Sequence, residues 1–157
     1  MERKIEEQLG MLNRIYKEQD DIYRGMAAHC GLSDAAFWVL YAVLDADQSC
    51  SQNDLCNAWF FPKQTVNSAI NNLIRRGYVV LQPVPGTRNR KAVELTEEGK
   101  DFCEKNILPL MEAERQSIMR FSVEERELFL TLFQKQVSFL KEEVNKATEE
   151  KENEKDE

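Results

Sequence analysis

The sequence predicts a mainly α-helical fold that carries one β-hairpin and has a long helix at each end. Apolar residues recur at helical spacing through most of the 157 residues. The 6 glycines and 4 prolines are too few for a turn-rich, all-β sandwich. One pair of β-rich segments, residues 78–81 and 92–95, favours a single hairpin. The length fits one domain, or one domain with an added arm.

A long first helix is predicted over residues 2–29. A stripe of mostly apolar and aromatic residues recurs along it at alternating spacings of four and three, which is typical of a helix that packs on another helix. The stripe consists of Ile5, Leu9, Leu12, Tyr16, Gln19, Tyr23 and Met26. Gly31 favours the end of this helix. A stripe of this length needs a partner surface.

A second helix is predicted over residues 34–46, with Ser33 as its N-cap. Leu32 and Phe37 lie on either side of that cap at the spacing of a hydrophobic staple. The helix is apolar on nearly every side, which indicates a central, buried position in the fold.

Two helices joined by a tight turn follow. The first is short, residues 52–58, and Ser51 and Asp54 occupy the two positions of a capping box. The second begins at Pro62 and stops at Gly77. Its predicted buried face consists of Val66, Ala69, Ile70, Leu73 and Ile74. Its predicted polar face consists of Lys63, Gln64, Thr65, Asn67, Ser68, Asn71 and Arg75.

Two further helices are predicted after the hairpin. Thr96 is the expected cap of the first, and Pro109 is expected to kink or interrupt it. Ser122 and Glu125 form a capping box before the last helix. The apolar side of that helix consists of Leu128, Phe129, Leu132, Phe133, Val137, Leu140 and Val144. The acidic tail, residues 147–157, is mostly Glu, Lys and Asn and is expected to be disordered.

The charge of the chain is unevenly distributed. Lys and Arg number 21 against 28 Asp and Glu, and the net charge of −7 by itself argues against a nucleic-acid partner. Residues 59–96, however, contain a single acid, Glu94. The bases in that stretch are Lys63, Arg75, Arg76, Arg88, Arg90 and Lys91. The basic part of the chain therefore coincides with the fourth helix and the hairpin.

A short helix, a tight turn and a second helix with an exposed polar face form the helix-turn-helix pattern of DNA-binding proteins. A recognition helix must present donors and acceptors to base edges, and a merely solvated helix would more often carry Glu–Lys pairs. Residues 62–76 contain no acid. The residues expected in the major groove are Pro62, Lys63, Gln64, Thr65, Asn67, Ser68 and Asn71, with Arg75 on the backbone. On the hairpin, Arg88 is the first candidate for phosphates or the minor groove, supported by Arg90 and Lys91.

The order and spacing of these motifs resemble MarR-type transcriptional regulators. The resembling residues are Pro62-Lys63-Gln64-Thr65-Val66, Ile70, Leu73, Gly77-Tyr78-Val79, Leu95-Thr96-Glu97-Glu98-Gly99, Ile107-Leu108-Pro109 and Phe121-Ser122-Val123-Glu124-Glu125. The resemblance implies a winged helix-turn-helix with a two-stranded wing in residues 31–96, and a helical dimerisation region formed by residues 1–30 and 97–146. The family commonly has an acid before the wing arginine, whereas Thr87 precedes Arg88 in this chain.

The resemblance also implies a function: a homodimer that binds a pseudo-palindromic operator in double-stranded DNA and acts as a repressor. A small-molecule effector, with an aromatic compound as the candidate, would release it. The candidate lining of the effector pocket is Tyr16, Tyr23, Met26, His29, Phe37, Trp38 and Tyr41. Aromatic residues on buried helices more often belong to the core, so a purely structural role for these residues stays open.

Two alternatives to an effector-released repressor remain open. One is a winged-helix module that binds proteins and not DNA, which the overall acidity favours. The other is a regulator that senses oxidants through a thiol. Cys30 is its first candidate, Cys50 precedes a helix N-terminus, and Cys56 and Cys103 resemble small core residues. The four cysteines include no Cys-x-x-Cys pair and are expected to be free thiols.

Several other classes of protein are not favoured. No phosphate-binding loop, nucleophile elbow or carboxylate pair indicates an enzyme, and a single histidine, His29, gives no recognisable metal-ligand spacing. No cofactor is therefore expected. No apolar run approaches the roughly 20 residues of a bilayer span, and the N-terminus lacks the apolar segment of a signal peptide. A cytoplasmic protein without membrane contact is expected.

Overall fold

The structure is a computed structural model that describes residues 2–46, 50–87 and 90–153. The elements, in chain order, are α1 (Glu2–His29), α2 (Asp34–Asp45), β1 (Cys50–Ser51), α3 (Gln52–Trp59), α4 (Lys63–Arg75), β2 (Val79–Pro83), β3 (Lys91–Leu95), α5 (Glu97–Asn106), α6 (Leu108–Met119) and α7 (Val123–Asn153). The chain forms two compact units, Met1–Glu112 and Ala113–Glu157. The mainly α-helical class predicted from the sequence is confirmed.

The core of the first unit is built around α2, as its all-round apolarity predicts. Ala36 and Leu40 of this helix are completely buried. The side chains that fill the core around them come from several elements and linkers: Phe37, Leu55, Val66, Ile70, Leu73, Val79 and Ile107. Ile74, which the spacing places on the buried face of α4, is exposed because it lies at the edge of the apolar stripe. Helix α4 is thus fixed by one face and leaves the other at the surface.

The sheet has three antiparallel strands in the order β1-β3-β2: β2 and β3 form the predicted two-stranded wing, and β1 is a short third strand that the sequence did not predict. The wing hairpin pairs Val79 with Leu95 at its base and Pro83 with Lys91 near its tip. The additional strand pairs Cys50 with Val93. Two residues are too few to show the alternation by which a strand is recognised in a sequence, so β1 has no signal of its own.

Both glycine stops predicted from the sequence are confirmed as Schellman motifs. After α1, Gly31 takes a φ of 64°, and the Leu32 N–H donates to the Ala27 carbonyl at 3.0 Å. After α4, Gly77 takes a φ of 79°, and the Tyr78 N–H donates to the Leu73 carbonyl at 3.0 Å. These motifs define where α1 and the recognition-helix candidate end.

The predicted helix starts are also confirmed. Ser33 caps α2 by accepting from the Ala36 N–H at 3.3 Å. Ser51 and Asp54 form the capping box of α3, and Ser122 and Glu125 make the reciprocal bonds of a second box. Pro62 differs slightly from the prediction, since it is the N-cap of α4 and the helix begins at Lys63.

Thr96 links the base of the wing to α5. Its hydroxyl accepts from the Gly99 N–H at 2.9 Å and donates to the Gly77 carbonyl at 2.5 Å. Its own N–H donates to the Tyr78 carbonyl at 3.1 Å. A Cβ added at Gly99 would overlap that same Tyr78 carbonyl oxygen. The start of β2 and the first turn of α5 are therefore in contact at a point that admits only glycine.

Pro109 interrupts the chain as predicted. Helix α5 ends at Asn106, Ile107 is completely buried between the helices, and α6 begins at Leu108. Proline is tolerated in the first turn of α6 because that turn has no internal acceptor for its missing N–H.

The second unit contains the end of α6 and the whole of α7. Phe121, Phe129 and Phe133 stack along one side, with ring centroids 6.4 and 5.8 Å apart. Helix α7 continues to Asn153 and so includes residues 147–153, for which a frayed or disordered tail was expected; Glu, Lys and Ala are good helix formers. The remainder of the predicted tail, residues 154–157, lies outside the described residues. Among the helices that are described, no single one is long and apolar enough to cross a membrane.

The contact at Gly99 gives a first prediction. Gly99→Ala should lower the free energy of unfolding by about 3 kcal/mol, the upper end of the cost of overpacking, because the methyl group meets backbone that cannot move independently. Urea unfolding at neutral pH measures the change. Gly25→Ala is the matched control, since nothing lies within 4 Å of a Cβ there. It should raise the unfolding free energy by about 0.5–1 kcal/mol by reducing the freedom of the unfolded chain. Equal effects of the two changes would contradict the close contact.

Candidate nucleic-acid interface

Helix α4 presents a polar face whose composition the sequence predicted. Val66, Ala69, Ile70 and Leu73 are buried. The residues proposed for the major groove are all exposed: Pro62, Lys63, Gln64, Thr65, Asn67, Ser68 and Asn71. Arg75 is exposed at the end of the same helix. The structure thus places these eight side chains at the surface and separates them from the core.

Part of this surface forms a groove of about 530 Å³ along α4. Gln64, Thr65, Ser68 and Arg75 line one side of it. Four further lining residues were not predicted from the sequence as site residues: Ser33, Ala35, Asn72 and Ala69, the last of which was placed on the buried face. Ser33 and Ala35 belong to the start of α2, and no local pattern in the sequence shows that this helix end lies beside α4. Asn72 could have been found, since it lies four residues after Ser68 on the same face.

A second groove, of about 600 Å³, lies between α3, the start of α4 and the wing. Lys63, Arg90 and Lys91 supply its positive charge, and Asp54 its negative charge. Across it, the Gln52 side-chain amide donates to the Lys63 carbonyl at 3.3 Å, which joins the two helices of the helix-turn-helix. The three basic residues, predicted from separate segments, are thus brought to one place.

Arg90 is held by a carboxylate of α3. Its guanidinium nitrogen lies 2.7 Å from Asp54 Oδ2. The same oxygen accepts from the Ser51 N–H at 2.8 Å and from the Ser51 hydroxyl at 2.6 Å. Asp54 therefore caps α3 and anchors the wing with one atom. The sequence identified Asp54 as a cap but gave no sign of its second role, because Arg90 is 36 residues away.

The hydrogen bonds to Asp54 also lower its pKa below the ordinary value of 3.8. The Ser51 hydroxyl contributes most, followed by the Ser51 N–H, and Arg90 adds to both, while partial burial opposes them. Asp54 is consequently ionised throughout the neutral range, and the ion pair that holds Arg90 near the tip of the wing is retained there.

Of the other two candidate wing residues, Lys91 and Arg88, the structure describes Lys91. Lys91 is exposed on β3, opposite Pro83 of β2. Arg88, the first wing candidate in the sequence, lies outside the described residues. Its role remains a prediction.

Four of the seven candidate effector residues form one aromatic cluster. The Trp38 ring lies 4.9 Å from Tyr23, 5.5 Å from Phe37 and 5.2 Å from Tyr41. Phe37 is fully buried, and Trp38, Tyr41 and Met26 pack against the core. The cluster therefore contributes to core packing. Besides Met26, two candidates lie outside the cluster: Tyr16 is half-buried earlier on α1, and His29 is exposed at the end of that helix.

The cysteines are free thiols. Burial raises the pKa of Cys30, whose thiol donates to the Asn106 carbonyl at 3.6 Å. Burial raises the pKa of Cys103 to about 11 and, together with the charge of Asp54, raises that of Cys50, although Arg90 opposes the latter shift. Since the thiolate is the reactive form, these environments disfavour the oxidant-sensing alternative at Cys30 and Cys50.

The role of Asp54 as cap and anchor gives a second prediction. Asp54→Asn should lower the free energy of unfolding at pH 7 by about 1 kcal/mol, through the weakened helix cap. Because the pKa is lower in the folded chain, the carboxylate stabilises the fold above pH 3.8, and this contribution is lost as the pH falls through the folded-state pKa. Urea unfolding of the unchanged protein and of Asp54→Asn should thus show a difference in unfolding free energy at pH 7. This difference should become smaller as the pH falls below 3.8.

The control for that experiment is Asp101→Asn, which removes an exposed carboxylate from α5. It should change the unfolding free energy by less than about 0.5 kcal/mol. If Asp54→Asn lowers the unfolding free energy by the same amount at neutral and at acid pH, the proposed ionic role of Asp54 is contradicted.

Comparisons with known proteins agree with this geometry. Residues 31–88 match the model of the MarR family, and this segment holds α2 to the start of the wing. The chain is 29% identical over 134 residues to the HTH-type transcriptional repressor NicR of Pseudomonas putida, and the match covers 85% of this chain and 84% of that protein.

Two solved structures extend the likeness beyond the matched segment. NMB1585, a MarR family regulator from Neisseria meningitidis, superimposes with a TM-score of 0.73 over 88% of this chain and 97% of its own, at 20% identity. BpsR of Bordetella bronchiseptica, whose DNA binding is regulated by 6-hydroxynicotinic acid, gives a TM-score of 0.62 at 27% identity, over 82% of this chain and 91% of its own. Residues 31–88 thus resemble the MarR family in sequence, and most of the chain has a fold like that of solved MarR family regulators.

Proposed function

We propose that the protein is a homodimeric repressor that binds a pseudo-palindromic operator in double-stranded DNA and is released from it by a small aromatic effector. The observation that carries the proposal is the exposed face of α4, which presents uncharged hydrogen-bonding groups and bases and no acid. Such a face suits base edges and phosphates together. The proposal places the protein in the cytoplasm, where operator DNA is found.

Residues 31–96 form the proposed DNA-binding domain. Arg75 contacts the DNA backbone. The residues that enter the major groove are Pro62, Lys63, Gln64, Thr65, Asn67, Ser68 and Asn71. Arg88, Arg90 and Lys91 form the wing contact with phosphates or the minor groove. The ion pair with Asp54 supports different roles for the two residues: Arg90 positions the wing, and Lys91, which is exposed, contacts a DNA phosphate.

Residues 1–30 and 97–146 form the proposed dimerisation region, and its partner is a second copy of the chain. On α1, Ile5 is 61% exposed, and Leu9, Met11, Ile15 and Ile22 are exposed to similar degrees. In the second unit the predicted apolar side of α7 is equally exposed at Leu128, Phe129, Leu132, Leu140 and Val144. Monomeric proteins rarely expose contiguous apolar patches of more than a few hundred Å². Self-association supplies the cover that these exposed apolar residues require.

The effector is proposed to bind beside the aromatic cluster of α1 and α2. The proposed lining consists of the residues predicted from the sequence: Tyr16, Tyr23, Met26, His29, Phe37, Trp38 and Tyr41. The likeness to BpsR supports an aromatic carboxylate of the hydroxynicotinate kind as the first compound to test. A gel shift in which this compound leaves DNA binding unchanged would remove it as a candidate.

The DNA-binding proposal is tested by selecting duplexes from a random library with the full-length protein. On a selected duplex, Asn71→Ala should weaken binding by about 1–3 kcal/mol, and the loss should depend on the base pair, because an asparagine amide reads a base edge. Lys91→Ala should weaken selected and random duplexes alike and reduce the dependence of affinity on salt. Fluorescence anisotropy at several salt concentrations measures both variants.

Two results would count against this assignment. Equal losses for Asn71→Ala on selected and random duplexes would remove its base-reading role. Failure of the unchanged protein to retain any duplex at low salt would favour the protein-interaction alternative.

The dimer proposal predicts that the protein sediments as a dimer at micromolar concentration. Leu9→Glu should weaken the dimer by at least about a hundredfold, since it places an unpaired charge in a desolvated contact. Arg14→Glu is the matched control, because Arg14 lies away from the apolar stripe and is exposed. It should leave the dimer intact. A monomer in the unchanged protein, or equal effects of both variants, would contradict the proposed interface.

A further inference from the structure

An acid lies in the groove between α3, the start of α4 and the wing, on a surface proposed to contact DNA. We call this the wing groove, and its lining residues are Ser51, Gln52, Asn53, Asp54, Lys63, Leu81, Arg90 and Lys91. A carboxylate at this place repels DNA phosphates. The cap of α3 does not require the charge of Asp54, because an uncharged glutamine serves equally at this position of a capping box.

The carboxylate of Asp54 is fixed in the wing groove. Its Oδ2 accepts from the Ser51 N–H at 2.8 Å and from the Ser51 hydroxyl at 2.6 Å, within the capping box that begins α3. These bonds hold the acid to its own helix, so Asp54 does not turn away when DNA approaches. Arg90 reaches the same oxygen from the wing, at a distance of 2.7 Å.

The pair of Asp54 and Arg90 carries no net charge. The two side chains are 44% and 46% exposed, and an ion pair exposed to that degree is weak. A phosphate can therefore draw Arg90 away from the carboxylate. The fixed charge of Asp54 is then left unpaired beside the phosphate, which offsets the gain. In both arrangements the pair adds little to the attraction of the wing groove for DNA.

Lys63 and Lys91 are the other two basic residues of the wing groove. Within residues 2–46, 50–87 and 90–153, neither lysine forms an ion pair with a carboxylate. Both lysines are exposed. Of the three basic residues that line the groove, two thus have a charge that is available to DNA.

We propose that Asp54 is a specificity residue: its charge weakens the binding of phosphates irrespective of sequence, and its bond to Arg90 positions the wing for the operator. The inference rests on the proposed DNA-binding function. Phosphate contacts carry no sequence information, so the loss of one such contact weakens binding to random DNA. Specificity is a difference of affinities, and it increases when binding to the wrong sites is weakened.

The positioning part of this role follows from the connections of α3. Helix α3 is joined to the wing through Asp54 and Arg90, and to the start of α4 by the Gln52 amide, which donates to the Lys63 carbonyl. The wing is thereby held in place relative to α4. An operator that contacts both elements together benefits from this arrangement, whereas a random duplex that is held by phosphates alone does not.

Asp54→Asn tests the charge. The asparagine oxygen still accepts from the Ser51 N–H, while the negative charge is removed. On a random duplex, the slope of log affinity against log salt should steepen by about 0.9 for each protomer in contact, which strengthens binding about eightfold at roughly 0.1 M salt. Asp54→Gln should behave in the same way, and it keeps the test valid if asparagine caps α3 poorly. Fluorescence anisotropy with full-length protein measures both variants.

The double variant Asp54→Asn with Arg90→Gln tests the positioning. It replaces a neutral pair by two neutral side chains, so its affinity for random duplexes and its salt slope should equal those of the unchanged protein. On a duplex selected by the unchanged protein it should bind more weakly, because the wing has lost its link to α3. Asp101→Asn is the control, since it removes an exposed acid of α5 that does not line the groove. It should leave both duplexes unaffected.

The inference is overturned if neither Asp54→Asn nor Asp54→Gln steepens the salt slope on random duplexes. It is also overturned if Asp101→Asn steepens the slope as much, because the total charge of the protein would then be responsible. A double variant that binds the selected duplex as tightly as the unchanged protein would remove the positioning role. If the unchanged protein retains no duplex at low salt, the proposed function fails and the inference fails with it. The other outcomes leave the proposed function intact.

Discussion

The burial of one face of α4 is the interaction on which the rest of the structure depends. Val66, Ala69, Ile70 and Leu73 are fixed in the core around α2, and this leaves the opposite face of a 13-residue helix at the surface. The Schellman motif at Gly77 ends the helix and leads directly into β2. The position, the length and the exit direction of this candidate recognition helix therefore follow from a small apolar cluster and one left-handed glycine. The polar face contributes no side chains to the core.

Local signals in the sequence were sufficient for most of the fold. The caps at Ser33, Ser51, Thr96 and Ser122 and the stops at Gly31 and Gly77 depend on residues within a few positions of one another, and all are confirmed. The exposed face of α4 was predictable for the same reason, because helical spacing separates apolar from polar residues. What the sequence could not supply was any relation between distant segments.

Two differences illustrate that limit, and a third is a local conformation that contradicts residue preference. Strand β1 exists because Cys50 pairs with Val93, and two residues have no pattern of their own. The bond between Asp54 and Arg90 joins residues that only the fold brings together. The left-handed conformation of Phe60 contradicts the usual preference of its residue type, so no propensity could have predicted it. For the proposed DNA contact, the sequence predicted a candidate surface, and the fold shows that Arg90 forms an ion pair with Asp54.

The link at Thr96 has a mechanical consequence. The Thr96 hydroxyl and N–H donate to the carbonyls of Gly77 and Tyr78, where the wing begins, and the hydroxyl also accepts from the Gly99 N–H in the first turn of α5. At Gly99 the two segments are too close to admit a Cβ. The wing base and α5 must therefore turn as one body. Strand β3 is 5 residues long, which makes the wing a lever of roughly 17 Å at the strand rise per residue. A rotation of α5 by about 5° would displace the far end by roughly 1.5 Å, about half the length of a hydrogen bond.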